Sequence, residues 1–155
     1  MSTLTKVLER NISQIEKNAN MKEGRFRLGH HLMPPVGWLN DPNGLCWYKG
    51  RYHVFFQYAP FDVEGGLKFW GHYTSEDLLD WKYEGTALYP DSSYDCHGVY
   101  SGSSLIDQDK MHLFFTGNVK IDGDYDYINE GRETSTLHVE SKDGIHFSDK
   151  EEVIS

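Results

Sequence analysis

Leu4, Val7, Leu8, Ile12 and Ile15 recur at three- and four-residue steps, which predicts an amphipathic helix from residue 4 to about residue 20. Lys6, Glu9, Arg10, Glu16 and Lys17 take the polar positions. Such a helix docks on the outside of a fold; a membrane-surface helix needs a more basic polar face. After Gly24 the period changes, and short aromatic and β-branched runs alternate with Gly, Pro, Asn and Asp. Leu45–Tyr48, Arg51–Tyr58, Trp70–Ser75, Ser103–Ile106, Lys110–Thr116 and Ser135–Ser141 read as strands. Lys49-Gly50 and Asp107-Gln108-Asp109 sit between strand pairs and read as hairpin turns. The predicted class is all-β with one N-terminal helix.

An internal repeat sharpens this. Tyr52-His53-Val54-Phe55-Phe56-Gln57 resembles Met111-His112-Leu113-Phe114-Phe115-Thr116, 59 positions later. His72-Tyr73-Thr74-Ser75-Glu76-Asp77 with Trp81 resembles His138-Val139-Glu140-Ser141-Lys142-Asp143 with Phe147, 66 positions later. Each copy runs hairpin, strand, Ser-x-Asp turn, aromatic, and holds about four strands, the blade of a β-propeller. Propellers close with about four to eight blades, and two would leave apolar faces uncovered. The sequence therefore predicts two parts: residues 1–24, a helix and linker, and residues 25–155, the first two blades of a larger domain. The chain is expected to be a truncated piece or the product of a broken reading frame.

Charge and composition narrow the function. Fifteen Lys and Arg against 24 Asp and Glu give a net charge of -9, which disfavours a nucleic-acid binder. No run approaches the roughly 18 apolar residues of a membrane span. The N-terminal segment has no apolar signal region, so a cytoplasmic protein is expected. Cys46 and Cys96 are then expected to be free, partly buried thiols. Aromatic residues make up 14% of the chain, which favours ring-stacking sites.

Pro34-Pro35-Val36-Gly37-Trp38-Leu39-Asn40-Asp41-Pro42-Asn43-Gly44 is the richest stretch. Its prolines and glycines set an irregular backbone that would hold Asn40 and Asp41 at a strand entrance beside Trp38. A carboxylate with an amide and an indole suits a sugar, the indole stacking and the amide bonding hydroxyls. A plain turn accounts for the same letters, since Asp-Pro and Asn-Gly are common turn signals.

Taken whole, Trp38-Leu39-Asn40-Asp41-Pro42-Asn43-Gly44 resembles the signature of glycoside hydrolase family 32, the invertases, fructanases and sucrose-6-phosphate hydrolases. Three further segments agree in order. Phe56-Gln57-Tyr58-Ala59-Pro60 is similar to the family's aromatic-Gln-Tyr-Asn-Pro stretch, with Ala59 for the usual Asn. Trp70-Gly71-His72 resembles its Trp-Gly-His segment, and Tyr100-Ser101-Gly102-Ser103 its Phe-Ser-Gly-Ser segment. The entry segment His31-Leu32-Met33-Pro34-Pro35-Val36-Gly37-Trp38 has the form of the sucrose-6-phosphate hydrolase branch. Gly65 stands where many invertases carry a substrate-contacting Trp.

The resemblance implies a five-bladed propeller that hydrolyses terminal β-D-fructofuranosides with retention, on sucrose 6-phosphate or sucrose. It assigns Asp41 as nucleophile and Trp38, Leu39, Asn40, Gln57, Tyr100 and Ser101 as substrate contacts. No cofactor is implied, because paired carboxylates do this chemistry. The family's Arg-Asp-Pro and Glu-Cys motifs, which supply the stabilising Asp and the acid/base Glu, do not occur here. The isolated chain is therefore expected not to turn over. Two other classes stay open: a non-catalytic sugar-binding module, and an interaction scaffold that self-associates through open blade edges.

Other features read as structural. His53 and His112 fall at equivalent repeat positions, as do His72 and His138, which argues for scaffold over metal ligation. His30-His31 would point apart on a strand, and His97 lies near the Tyr100-Ser101 pair. Asp122-Gly123-Asp124-Tyr125-Asp126 lacks the glycine and glutamate of a calcium loop and reads as a solvated acidic loop. Asp77 and Asp143 read as turn formers. Glu76, Glu84, Glu130 and Glu133 are acids outside any motif.

Overall fold

A computed structural model describes residues 2–19, 26–28 and 30–155. The predicted linker at 20–24 lies outside them. One helix, α1 (Thr3–Asn18), precedes eight strands. These are β1 (Trp38–Tyr48), β2 (Arg51–Ala59), β3 (Phe69–Ser75), β4 (Lys82–Leu88), β5 (Val99–Asp107), β6 (Lys110–Lys120), β7 (Arg132–Ser141) and β8 (Glu151–Ile154). They form two antiparallel sheets in chain order, β1-β2-β3-β4 and β5-β6-β7-β8.

Both hairpin turns form as two-residue loops with positive φ at both positions: Lys49 (48°) with Gly50 (79°), and Gln108 (47°) with Asp109 (62°). That geometry matches the twist of the flanking strands. The second turn is thus two residues, since Asp107 already pairs with Lys110.

The repeat is structural. His53 and His72 share a hydrogen bond of 3.0 Å in the first sheet, and His112 and His138 one of 2.9 Å in the second. The Ser75 and Ser141 hydroxyls each accept from the backbone two and three residues on. Asp77 and Asp143 then collect the next two amides, the turn role read for them.

The sheets pack face to face. Tyr48, Phe55, Trp70 and Leu88 meet Val99, Met111, Leu113, Phe115, Leu137 and Val139. The indole of Trp70 crosses this interface and donates to the Tyr100 carbonyl (3.1 Å). On the other face of the first sheet Phe56, Tyr58, Phe69 and Tyr73 receive Ile12 of α1.

Four expectations need correction. The apolar stripe of α1 is narrower than its periodicity: Ile12 is buried and Leu8 packs, but Leu4, Val7 and Ile15 are exposed. Glu16, placed on the polar face, instead accepts from the hydroxyls of Tyr58 (2.9 Å) and Tyr83 (2.7 Å). His30 and His31 lie in a bend, not a strand. Both cysteines are free, Cys46 half-buried and Cys96 exposed rather than partly buried. Among the described residues no helix is long and apolar enough to cross a membrane.

Candidate active site

The stretch Trp38–Gly44 is not a strand entrance but lies within β1, interrupted by two bulges. Asn40 pairs with Gln57 and Pro42 with Phe56, so Asp41 has no partner on β2. An unpaired residue bends its strand and re-aims its side chain. The Asp41 φ of 25° is positive, a conformation that a non-glycine residue adopts at a cost. On β5, Tyr100 pairs with Thr116 and Gly102 with Phe115, which leaves Ser101 unpaired in the same way. The two bulge residues meet: Ser101 Oγ donates to Asp41 Oδ2 (2.8 Å).

That contact ends a chain of four hydrogen bonds. Trp38 Nε1 donates to Asn40 Oδ1 (2.9 Å), and Asn40 Nδ2 to Gln57 Oε1 (3.1 Å). Gln57 Nε2 donates to Ser101 Oγ (3.0 Å), whose hydroxyl passes on to Asp41. An indole can only donate and an ionised carboxylate can only accept, so both ends fix the sense of the intervening amides. Gln57 is 5% exposed, whereas Asp41 and Ser101 face solvent. The arrangement is a buried amide holding an open carboxylate.

Asn43 was not singled out from the sequence, yet it braces the bulge. Its amide nitrogen donates to the Asp41 carbonyl (2.9 Å), and its oxygen accepts from Gly102 N (3.1 Å) on the opposite sheet. Gly102 must lack a side chain, because a Cβ would sit 2.0 Å from the Phe114 carbonyl oxygen. Tyr100 borders the group, its hydroxyl accepting from Arg132 Nη1 (2.8 Å). Leu39 points the other way and packs with the second core cluster. The Trp70-Gly71-His72 segment is scaffold. Trp70 ties the sheets, Gly71 makes way for the Phe56 ring, and His72 bonds His53.

Lys68 was also missed. Its ammonium lies 5.5 Å from the centre of the Trp38 ring. Burial pushes its pKa down, while the charges of Asp41 and Asp62 oppose that. His97 is held elsewhere, its Nδ1 accepting from the Lys120 amide (2.9 Å). Glu84 is tied to Thr74 and Lys82. Among the described residues no group of three or more His, Cys, Asp or Glu side chains is placed to hold a metal. A cavity of about 470 Å³ between α1 and the 145–150 segment includes no member of the Asp41 chain.

Residues 31–155 match the glycosyl hydrolases family 32 N-terminal domain. The sucrose-6-phosphate hydrolase of Bacillus subtilis (strain 168) is 50% identical over 120 residues, 77% of this chain and 24% of that protein. A mutant of the Bombyx mori GH32 β-fructofuranosidase BmSUC1, solved in complex with sucrose, superposes with a TM-score of 0.80. That match is 33% identical and covers 94% of this chain and 29% of that one. The sucrose-6-phosphate hydrolase from Lactobacillus gasseri gives 0.75 at 34% identity, over 90% of this chain and 27% of that one. The chain thus spans about a quarter of the length of these proteins. Its two sheets are blades of the five-bladed propeller that such enzymes carry. By the extent of this match, the chain belongs to glycosyl hydrolase family 32, within the family's N-terminal domain.

Proposed function

We propose that this chain is the N-terminal part of a retaining β-fructofuranosidase acting on sucrose 6-phosphate or sucrose, with Asp41 as the nucleophile. Residues 1–24 form the helix and linker, and residues 25–155 the first two blades. The observation that carries the reading is the open Asp41 carboxylate, held by Ser101 at the end of the chain from Trp38.

In this reading an Asp41 oxygen bonds to the anomeric carbon of the fructosyl unit as the bond to the leaving sugar oxygen breaks. The leaving oxygen takes a proton from a carboxylic acid, and water then hydrolyses the fructosyl ester, with the same acid acting as base. Trp38 lines the sugar, and Asn40, Gln57, Tyr100 and Ser101 contact its hydroxyls, with Leu39 anchoring the strand from the core side. The acid belongs to the Glu-Cys motif that this sequence does not contain, so the isolated chain does not turn over. No cofactor takes part. A cytoplasmic setting suits a phosphorylated sugar, since a charged ester does not cross a bilayer unaided. In the isolated chain the unpaired edges of β4 and β8 promote self-association, read as a mass that rises with concentration in light scattering.

The test is a chimaera carrying residues 31–155 in place of the matching segment of the Bacillus subtilis relative. Hydrolysis of sucrose or sucrose 6-phosphate with retention is expected, with a loss of about 10⁴-fold or more in Asp41→Asn. Hydrolysis undiminished in that variant overturns the assignment. Sugar binding without turnover, unaffected by Asp41→Asn, favours a non-catalytic module.

A further inference from the structure

Two cations beside the Asp41 site lack the ion-paired carboxylate that many cations of the sheets and their turns have, as does Lys120, which lies over the Tyr127 ring. Lys49, Arg51, Lys82, Lys110 and Lys150 all pair with carboxylates. Lys68 and Arg132 have no carboxylate within ion-pairing distance among the described residues, in a chain of net charge -9. Both are half-buried. The charges of Asp41 and Asp62 act on Lys68, but neither carboxylate contacts it, and a half-buried cation with no contacting anion is free to take one from a ligand.

Their placement suits one ligand group. The Lys68 ammonium faces the edge of Trp38 across Gly65, where a Cβ would sit 2.8 Å from Lys68 Nζ and 3.5 Å from Trp38 Nε1. A glycine there, at φ +99°, leaves the space between cation and indole open. The stem of Lys68 and the ring edge of Tyr100 both flank Gly98. Arg132 lies over that same Tyr100 ring, its guanidinium carbon 5.2 Å from the ring centre. Its Nη1 is used by Tyr100 and Asn118, but its Nε is buried without a hydrogen-bond partner. A point charge by the Trp38 ring and a planar fork by the Tyr100 ring form a combination that recognises phosphate oxygens.

We infer that Lys68 and Arg132 are specificity residues that bind a phosphate monoester on the leaving sugar of the substrate. This rests on the fructosidase reading of Asp41. A neutral disaccharide makes no use of either charge, whereas a phosphate dianion supplies the contacting counter-ion that neither has.

Calorimetric titration of the 155-residue chain with sucrose 6-phosphate and with sucrose tests this. Sucrose 6-phosphate is expected to bind about tenfold tighter or more. Lys68→Met removes most of that advantage and leaves the sucrose affinity unchanged, and Lys68→Arg retains it. Arg132→Lys gives an intermediate loss, and the thermal transition of each variant confirms its fold. Equal affinity for the two sugars in the parent chain, or an equal weakening of both by Lys68→Met, overturns the inference and leaves the Asp41 reading intact. Failure of both sugars to bind overturns the Asp41 reading and this inference with it.

Discussion

Trp38 decides the sense of every proton in the chain that ends at Asp41. Because its indole only donates, Asn40 must present oxygen to it and nitrogen to Gln57, and the order carries through Ser101. Gln57→Leu would strand Asn40 Nδ2 and Ser101 Oγ at once. The expected cost is about 1–3 kcal/mol of stability, read by urea unfolding, together with loss of sugar binding. A second residue-scale prediction concerns His53 and His72. His53 Nε2 meets the Tyr48 carbonyl (3.2 Å), so it carries the proton there, and His72 Nε2 donates to His53 Nδ1. Burial, then the neighbouring His53, pushes the His72 pKa down to about 3. Unfolded, it titrates near 6.5, so between these values the unfolded chain binds the extra proton. Stability is therefore full above pH 6.5 and lost as pH falls, by at most about 1.4 kcal/mol per pH unit from this group. Thermal midpoints at pH 7, 6 and 5 should drop less steeply in His72→Gln, whose amide still donates to His53. Equal slopes would refute that origin. At this scale the sequence shows which residue types gather, because their motif is contiguous. Lys68 and Arg132 carry no such signal, because only the fold brings one to Trp38 and the other to Tyr100 beside the same site.

At the scale of elements the bulges position the site. Asp41 and Ser101 are equivalent interruptions of the first strand in each sheet, and a bulge has no periodic signature. The strand reading of β1 accordingly begins only at Leu45, past the Asp41 bulge and within the second one. The fourth strands went unread for other reasons. β4 is half-buried nearly throughout and carries Gly85 at φ 115°, so it neither alternates nor runs apolar. β8 is four exposed residues. The hairpins are legible because their turns are two residues long, and the central strands because their aromatic and β-branched runs are dense, β3 being buried throughout and β6 alternating. The close approach at Gly102 yields a graded prediction. Gly102→Ala drives a methyl into the Phe114 carbonyl, whereas Gly50→Ala meets nothing within 4 Å and suffers only its φ of 79°. Gly50→Ala should cost about 1 kcal/mol and Gly102→Ala distinctly more, together with the Asn43 bridge. Equal melting temperatures for the two variants would mean that β5 and β6 can separate at Gly102 at little cost.

In the molecule as a whole, α1 covers the face of the first sheet that the second sheet does not. Ile12 is 2% exposed against Phe56, Tyr58, Phe69 and Tyr73. Ser2 caps the helix by accepting from the Thr5 amide (3.0 Å), and Thr5 in turn bonds Asp91 beyond β4. Burial, reinforced by the Glu16 charge, holds the Tyr58 and Tyr83 hydroxyls protonated, so both remain donors to that carboxylate. The helix is thus attached by its apolar residue, its half-buried acid and its cap, and is a structural layer rather than an appendage. Ile12→Ala should cost about 2–5 kcal/mol, the range for emptying a buried aliphatic site. Removing residues 1–19 should go further, exposing the aromatic face of the first sheet, with a lowered thermal midpoint and increased binding of an apolar dye. The Asp41–Ser101 contact lies on the strands where the two sheets meet, so the same truncation loosens the site only through the first sheet. Sugar affinity should accordingly fall in step with stability and recover when the chain is stabilised by low temperature. A thermal midpoint unchanged by the truncation would show instead that the two sheets hold each other without the helix, and that Phe56 and Tyr58 tolerate water.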